Sequence, residues 1–254
     1  MSYTAVVLAG WRPGRDAFAE QYGTDLKALI PVAGEPMVRR PVRALLASAN
    51  VGKLIVVSQA PRRIADAIPA DERISVRESR GTIAETMLGV CSDPATEWPL
   101  LVTTADHALL DTATIDEFCN AAAGSDIAIG VVERGVLMMR FPEAQRTWLK
   151  FRRGAFTGAN LFALGSPEAA RAIELWRSVE QDRKKGWRVL LALGPALLLG
   201  AALRLRTIDQ SVAAMGRRLG MTARVVVLGN PLACVDVDKP VDHALVEAIL
   251  AGRA

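Results

Sequence analysis

The sequence predicts an α/β protein built on one doubly wound, mostly parallel β-sheet. Short apolar runs of strand length alternate with helix-length segments along the first half of the chain, and this alternation is typical of βαβ units. The 254 residues fit one large α/β domain or two small ones, and no linker rich in Pro, Gly or Ser divides them. We therefore expect a single domain over residues 1–254, with its ligands at the carboxyl ends of the strands.

Strands and helices alternate in chain order. Runs rich in Val, Ile and Leu predict strands over 6–8, 54–57, 74–76, 100–103 and 127–132. The segments between them predict helices over 38–49, 61–68, 81–90 and 112–123. In the first of these helices Val38, Val42, Leu45 and Leu46 fall on one side, which is the side expected to pack on the sheet.

One segment departs from this alternation. Residues 189–203 are apolar throughout, and Lys and Arg residues flank them on both sides. The run is shorter than the roughly 20 residues that cross a bilayer as a helix, and Gly194-Pro195 interrupts it. It predicts a helical insertion near residues 176–220, for which three roles remain open: buried helices, a contact with a membrane or lipid-like acceptor, or a homodimer interface.

Composition and charge limit the classes of partner. The net charge of +4 and the pI near 9.2 permit anionic partners such as nucleotides or a membrane surface. The basic residues are scattered and no helix-turn-helix, zinc-finger or RRM pattern is present, so no nucleic-acid partner is expected. The N-terminal sequence has the pattern of a first strand instead of a signal peptide, and the three cysteines are isolated. These features indicate a cytoplasmic protein with reduced thiols.

The end of the first predicted strand has the features of a phosphate-binding loop. Leu8 is followed by the small residues Ala9 and Gly10, which let backbone N–H groups approach an anion closely. Arg15 in the loop and Lys27 beyond it can bind phosphate oxygens, arginine through its planar fork and lysine as a point charge. Because a Walker A sequence is absent, we expect these residues to hold a nucleoside triphosphate in another way.

A carboxylate follows the predicted strand over 100–103. Asp106 lies at the end of this strand, where a side chain reaches the ligand crevice of a parallel sheet. Mg²⁺ is commonly bound by one or two carboxylates together with phosphate oxygens, so Asp106 is a candidate metal ligand. The alternative is a helix cap, but Asp111 and Thr112 are closer to the next predicted helix.

The order of these residues resembles the MobA-like NTP transferase superfamily. Its signature is L-A-G-G-x-x-x-R, then a lysine, then p-v-x-G-k-P-m, and it corresponds here to residues 8–15, Lys27 and residues 31–37. Trp11 replaces the second glycine, and Glu35 replaces the lysine before proline. The resemblance implies a Rossmann-like domain of the nucleotide-diphospho-sugar transferase or GT-A type, with the first loop as the nucleotide site.

The resemblance also implies a Mg²⁺ site. Asp106 corresponds to the metal-binding Asp of the family's D-x-P motif, although His107 and Ala108 follow it here. The family's closing motif, D-[IV]-D-T-P-E-D-L, corresponds to the segment that begins at Asp236. On a strand, Asp236 and Asp238 would project to the same face. We favour Asp236 as the second metal ligand and keep Asp238 as the alternative.

Two further segments resemble parts of the family that contact substrates. Gly81 and Thr82 correspond to the segment before a helix that contacts the base and ribose. The candidates for the acceptor pocket are Gly158 and Asn160, and the candidates for its phosphate are Lys150 and Arg152. A solvated basic turn is the alternative interpretation of these last two residues.

Together these features predict a Mg²⁺-dependent nucleotidyltransferase. It would transfer NMP from an NTP, with CTP slightly favoured, to a phosphorylated small molecule or lipid headgroup. Arg15 and Lys27 would neutralise the triphosphate and the leaving pyrophosphate, while Asp106 and Asp236 would hold Mg²⁺. A GT-A-like glycosyltransferase and a non-catalytic nucleotide-binding protein are the alternatives. The expected location is the cytoplasm or the inner face of the membrane.

Overall fold

The computed structural model describes residues 2–10, 14, 16–79, 81–144, 146–181 and 204–253. Two features of the sequence prediction lie outside the described residues: Arg15 and the apolar segment 189–203. Of the helical insertion expected near 176–220, the described parts are helical at both ends. No helix in the described part of the chain is long and apolar enough to cross a membrane.

One large sheet organises the described residues. Its strands are β1 (Tyr3–Leu8), β4 (Val51–Ser58), β5 (Ile74–Glu78), β6 (Leu100–Thr104), β7 (Ile127–Glu133), β8 (Leu149–Phe151), β9 (Gly154–Leu164) and β10 (Ala223–Val227). Their order is β10-β7-β9-β6-β1-β4-β5, and β8 pairs with β9. The short strands β2 (Pro31–Val32) and β3 (Glu35–Pro36) form a separate antiparallel pair.

Helices connect the strands of this sheet. They are α1 (Ala17–Glu20), α2 (Arg39–Ala47), α3 (Pro61–Ala67), α4 (Ile83–Ser92), α5 (Thr112–Ala122), α6 (Arg134–Arg140), α7 (Ala170–Gln181), α8 (Ile208–Arg218) and α9 (Pro240–Leu250). Each helix predicted from the sequence is present with ends shifted by a few residues. For example, α4 begins at Ile83 because Thr82 is its N-cap and Gly81 turns the chain at a φ of 76°.

The prediction of a mostly parallel α/β sheet is confirmed. The pairs β1–β4, β1–β6, β4–β5 and β7–β10 are parallel. Strand β9 runs antiparallel between β6 and β7, a reversal that the sequence did not predict. Because β9 enters from the opposite direction, its middle residues lie near the carboxyl ends of its neighbours.

Both faces of the sheet are buried, as a doubly wound architecture requires. Along β1, Ala5 and Val7 belong to one apolar cluster and Val6 belongs to the other. Along β6, Leu101 packs on the first face and Leu100 and Val102 on the second. This alternation explains why the strands read as continuous apolar runs in the sequence. Most of the candidate functional residues therefore lie in the loops at the strand ends, whereas Lys150, Gly158 and Asn160 lie on β8 and β9.

Candidate functional site

The carboxyl ends of the parallel strands meet at one edge of the sheet. The backbone N–H of Ala9 donates to the Val57 carbonyl at 2.9 Å, and that of Ala105 donates to the Leu8 carbonyl at 3.0 Å. The Ser79 N–H donates to the Ser58 carbonyl at 2.9 Å. These bonds hold the loops after β1, β4, β5 and β6 side by side. A ligand at this edge would contact several of the loops at once.

Lys27 connects two carboxylates at this edge. Its Nζ lies 2.6 Å from Asp106 Oδ2 and 2.5 Å from Asp238 Oδ1. The Lys27 and Asp106 side chains are about one-fifth exposed, whereas that of Asp238 is 56% exposed. Burial acts to lower the pKa of the Lys27 ammonium, but the two carboxylates outweigh burial and raise that pKa above its usual value. Lys27 therefore remains a cation at neutral pH.

The other oxygen of Asp106 is fixed by the strand that carries it. Thr104 Oγ1 donates to Asp106 Oδ1 at 2.5 Å, and the Val237 N–H donates to the Asp106 carbonyl at 3.0 Å. Asp106 does not cap the following helix. Asp111 does so by accepting a hydrogen bond from the Thr114 N–H at 2.7 Å, so the Asp106 carboxylate stays directed towards Lys27.

Asp236 and Asp238 contact different partners. We expected both to lie on a strand, and this expectation is wrong. Residues 235–238 follow a 3₁₀-helix over Pro231–Cys234 and join no strand ladder. Asp238 contacts Lys27, whereas Asp236 forms an ion pair with Arg146 and accepts a hydrogen bond from Asn160 Nδ2 at 3.1 Å. Burial, together with the negative charges of Asp238 and Asp106, raises the pKa of Asp236 above its usual value, although the Arg146 guanidinium acts to lower it.

Asn160 reaches Asp236 because β9 is irregular at this point. The register between β7 and β9 shifts where Ile129 pairs with Phe162 and Val131 pairs with Gly158. Asn160 lies in this bulge with a φ of 47°, a left-handed conformation that asparagine tolerates better than most residues. Bulges often redirect a side chain near a functional site, and here the bulge aims the Asn160 amide at a carboxylate.

Arg146 was missed by sequence reasoning. It lies in the connection between α6 and β8, and its side chain is only 15% exposed in its pair with Asp236. No motif or periodic pattern surrounds it. The sequence offers no signal for its role because its partner is 90 positions away. Its contact with Asp236 depends on the folded arrangement of the β9 and 235–238 segments.

Gly10, Thr82 and Gly158, proposed from the sequence as substrate contacts, lie in three different parts of the structure. Gly10 passes so close to Gln59 that a Cβ would lie 2.7 Å from the Gln59 Oε1 atom. Thr82 is engaged at the start of α4, where its N–H donates to Glu85 Oε2 at 2.8 Å and its hydroxyl accepts from the Glu85 N–H at 3.3 Å. Gly158 is exposed, and no atom lies within 4 Å of where its Cβ would be.

Lys150 and Arg152 lie on β8 and in the β8–β9 turn. Both are exposed. Within the described residues, neither side chain has an ion pair with the carboxylates at the strand edge. The backbone of Arg152 is held by a hydrogen bond from its N–H to the Arg206 carbonyl at 3.0 Å. The structure thus brings Asn160 to the Asp236 group but does not join the two basic side chains to it.

Helix α9 holds the segment that carries Lys27. At its first turn, Asp242 Oδ2 accepts hydrogen bonds from the Asp238 and Lys239 N–H groups at 3.2 and 3.0 Å. The next residue, buried His243, places Nε2 at 2.7 Å from the Pro31 carbonyl and Nδ1 at 3.1 Å from the Tyr22 hydroxyl. These contacts fix both the Asp238 backbone and the chain that follows Lys27.

A further turn of α9 extends this attachment. Glu247 Oε1 accepts a hydrogen bond from the Ala33 N–H at 2.6 Å. Ala33 has a φ of 51°, so this bond also supports an unusual backbone turn. Segment 27–33 is therefore held along successive turns of one helix.

The carboxylates of Asp106 and Asp238 are positioned to contact the same cation. Among the residues that the structure describes, no group of three or more His, Cys, Asp or Glu side chains is arranged to hold a metal ion. Asp106 and Asp238, however, each place an oxygen within 2.6 Å of one cationic atom, Lys27 Nζ. A pair of carboxylates supplemented by substrate phosphates is the donor set that Mg²⁺ commonly uses. Of the two aspartates considered with Asp106, Asp238 shares Lys27 with it and Asp236 pairs with Arg146; which of them is the second metal ligand stays a prediction.

Comparison with known proteins identifies the family of this chain. A family model described as the MobA-like NTP transferase domain matches residues 5–214. A hypothetical transferase from Thermus thermophilus is 30% identical, with a TM-score of 0.81 over 96% of this chain and 100% of that one. No relative is found among curated protein sequences.

Two more distant structures share the fold. The 4-diphosphocytidyl-2C-methyl-D-erythritol synthase of Anaerococcus prevotii is 10% identical, with a TM-score of 0.62 over 98% of this chain and 96% of that one. A CMP:2-keto-3-deoxy-manno-octonic acid synthetase complexed with CTP is 12% identical, with a TM-score of 0.60 over 100% of both chains. At these identities the likeness concerns the fold, which is that of GT-A-like nucleotidyltransferases.

Proposed function

We propose a specific reaction for this chain, which belongs to the MobA-like NTP transferase family and is a nucleotidyltransferase. An oxygen of a phosphorylated acceptor attacks the α-phosphorus of an NTP, the bond to the β-phosphate breaks, and pyrophosphate leaves. The reaction needs no protein nucleophile. It requires two substrates held in line and their negative charge neutralised.

The observation that carries this proposal is the contact of Lys27 with Asp106 and Asp238. A phosphate-binding cation and two carboxylates meet at the strand edge where ligands of such sheets bind. Lys27 would bind the triphosphate and stabilise the charge that develops on pyrophosphate, and Arg15 is proposed for the same role by resemblance. Asp106 and Asp238 would hold Mg²⁺, which would supply further neutralisation of the α-phosphate when bound.

The substrates are proposed from the surrounding loops. The backbone over Leu8, Ala9 and Gly10 would approach the triphosphate, and the segment at Gly81 and Thr82 would contact the base and ribose. The proposed acceptor groups are Gly158 and Asn160 in the pocket and Lys150 and Arg152 at the phosphate. We propose CTP as the first nucleotide to test, since one protein of the same fold is described in complex with CTP.

We also propose a lipid-headgroup acceptor, with a phosphorylated small molecule as the other possibility. The supporting observation is the apolar run 189–203 between basic residues, a pattern that can bring a cytoplasmic enzyme to an anionic membrane surface. Co-sedimentation with vesicles that contain phosphatidylserine would test this, with L198E/L199E as the comparison. If wild type and variant both stay in the supernatant, the membrane contact is wrong.

Pyrophosphate release tests the proposed reaction. Wild-type protein, Mg²⁺ and each of the four NTPs would be assayed with a panel of phosphorylated acceptors. Asp106→Asn should abolish most turnover because an amide is a weaker, uncharged ligand. Asp71→Asn is a matched control because Asp71 is also ion-paired, with Arg73, but precedes β5 at the opposite edge of the sheet. Equal activity of the two variants would contradict the assignment of Asp106.

A further inference from the structure

Lys27 occupies the position where the proposed metal ligands converge. Its Nζ is 2.6 Å from Asp106 Oδ2 and 2.5 Å from Asp238 Oδ1. A divalent cation that used the same two oxygens would compete with the ammonium for their lone pairs, since Mg²⁺ binds carboxylate oxygens directly. Two cations held by the same pair of oxygens would also repel each other strongly. The ammonium and the metal would therefore compete for these two oxygens.

We propose that Lys27 is a built-in competitor for the divalent cation, and that a nucleoside triphosphate relieves the competition by binding Lys27. This inference rests on the proposed function and adds a regulatory property to the same site. In the resting protein the carboxylates are neutralised by Lys27 and bind metal weakly. When a triphosphate arrives, Lys27 exchanges its carboxylate partners for phosphate oxygens, and the carboxylates become free to bind the metal.

The surroundings allow this exchange without a backbone rearrangement. Lys27 has a flexible four-carbon side chain, whereas its partners are held independently of it. Thr104 Oγ1 holds the second oxygen of Asp106 at 2.5 Å, and Asp242 holds the backbone N–H of Asp238 at 3.2 Å. The Asp238 side chain is also 56% exposed, so water can solvate it after Lys27 leaves. Only the lysine side chain has to move.

This competition predicts that one substitution, Lys27→Met, strengthens metal binding and weakens nucleotide binding. In nucleotide-free protein, Lys27→Met should bind Mn²⁺ at least about tenfold more tightly, because the metal no longer has to displace a hydrogen bond to a charged group. The same variant should bind CTP, in the presence of Mg²⁺, more weakly. Mn²⁺ binding would be measured by the loss of the free-ion EPR signal, and CTP binding by calorimetry.

Control variants separate this effect from general changes in charge. Lys53→Met removes a lysine that is ion-paired with Glu97 on the surface, and it should leave Mn²⁺ affinity unchanged. Lys27→Arg keeps the charge and should also retain weak Mn²⁺ binding. The double variant K27M/D106N should lose the gain, because the gain requires the Asp106 carboxylate. Lys27→Gln removes the charge with a polar side chain and replaces Lys27→Met if that variant fails to fold.

The outcomes distinguish this inference from the proposed function. Unchanged or weaker Mn²⁺ binding in folded Lys27→Met or Lys27→Gln would overturn the competition, even if pyrophosphate release were normal. Tighter Mn²⁺ binding with unchanged CTP affinity would overturn the exchange with phosphate. If Lys27→Met binds Mn²⁺ more tightly and CTP more weakly, but the wild type releases no pyrophosphate, the inference is supported and the transfer reaction is contradicted.

Discussion

His107 should make the protein less stable in acid. It is almost fully buried beside Asp106, its Nδ1 lies 3.3 Å from Thr103 Oγ1, and its Nε2 has no hydrogen-bond partner in the described part of the chain. Burial lowers the pKa of His107 to about 4, although the nearby Asp106 carboxylate acts in the other direction. The unfolded chain then binds the proton more tightly than the folded protein. The stability that His107 contributes is therefore present above pH 6.5 and is lost as the pH falls towards 4.

The size of this loss follows from the displacement of the pKa. A group with a pKa of 6.5 in the unfolded chain and about 4 in the folded protein reduces the free energy of unfolding by roughly 2–3 kcal/mol between about pH 7.5 and pH 4.5. The substitution His107→Met replaces the imidazole with an apolar side chain that does not titrate. The free energy of unfolding of the variant should fall by roughly 2–3 kcal/mol less than that of the wild type over the same interval.

Urea denaturation at several pH values measures this difference directly. The carboxylates that titrate over the same interval are common to both proteins, so the difference between the two profiles isolates His107. NMR provides a second observation because the chain contains only two histidines. The imidazole resonance that disappears in the variant should not titrate between about pH 5 and 8 in the wild type. If the free energy of unfolding has the same pH dependence in both proteins, or if the His107 resonance titrates near the usual pKa of histidine, then burial does not lower the pKa of His107.

Three further predictions concern the site and its support. Asp238→Asn should reduce pyrophosphate release in steady-state assays more than Asp236→Asn does, because Asp238 and Asp106 share the Lys27 ammonium. The reverse order would favour Asp236 as the second metal ligand. Glu35→Lys should lower the free energy of unfolding, measured by urea denaturation, by about 1–2 kcal/mol. The reason is that Glu35 forms ion pairs with Arg40 and Arg43, and a lysine at this position would repel both arginines. An unchanged denaturation midpoint would show that these ion pairs do not contribute to stability. His243→Leu should weaken CTP binding, because it removes the contacts of His243 with the Pro31 carbonyl and the Tyr22 hydroxyl, which hold the chain after Lys27. CTP affinity would be measured by calorimetry at a temperature where the variant is folded. An affinity equal to that of the wild type would mean that α9 does not position Lys27.

The sheet was predictable because its determinants are local. Strands such as β1 and β6 are buried on both faces, so each reads as an apolar run in the sequence, and the turns between elements have their own residue preferences. The expectation that Asp106 would lie at the ligand crevice rested on a general property of parallel sheets, whose strand ends share an edge. The structure has Asp106 at that edge, in contact with Lys27. Their roles in binding and catalysis remain predictions.

The parts that could not be predicted depend on contacts between distant segments. No strand was predicted over β9, and nothing local indicates its antiparallel direction or the bulge at Asn160. Arg146 has no motif around it, and its partner Asp236 becomes apparent only when the chain is folded. The resemblance to the family's closing motif implied a strand at Asp236 and Asp238, but the segment contacts the residues after β6 through Val237 instead of joining a ladder. Tertiary contacts override local patterns at such positions.

The attachment of α9 to the segment after Lys27 also has a consequence for synthesis of the protein. Lys27 and Asp238 are 211 positions apart, and the residues that hold the Lys27 segment follow Asp238. During translation, the N-terminal half can form β1, β4 and β6 before any of these partners has left the ribosome. A nascent chain at that stage would have the predicted phosphate-binding loop but neither Asp238 nor the helix that supports the Lys27 segment. The contacts of Lys27 with two carboxylates can thus form only after residues 238–247 have been synthesised.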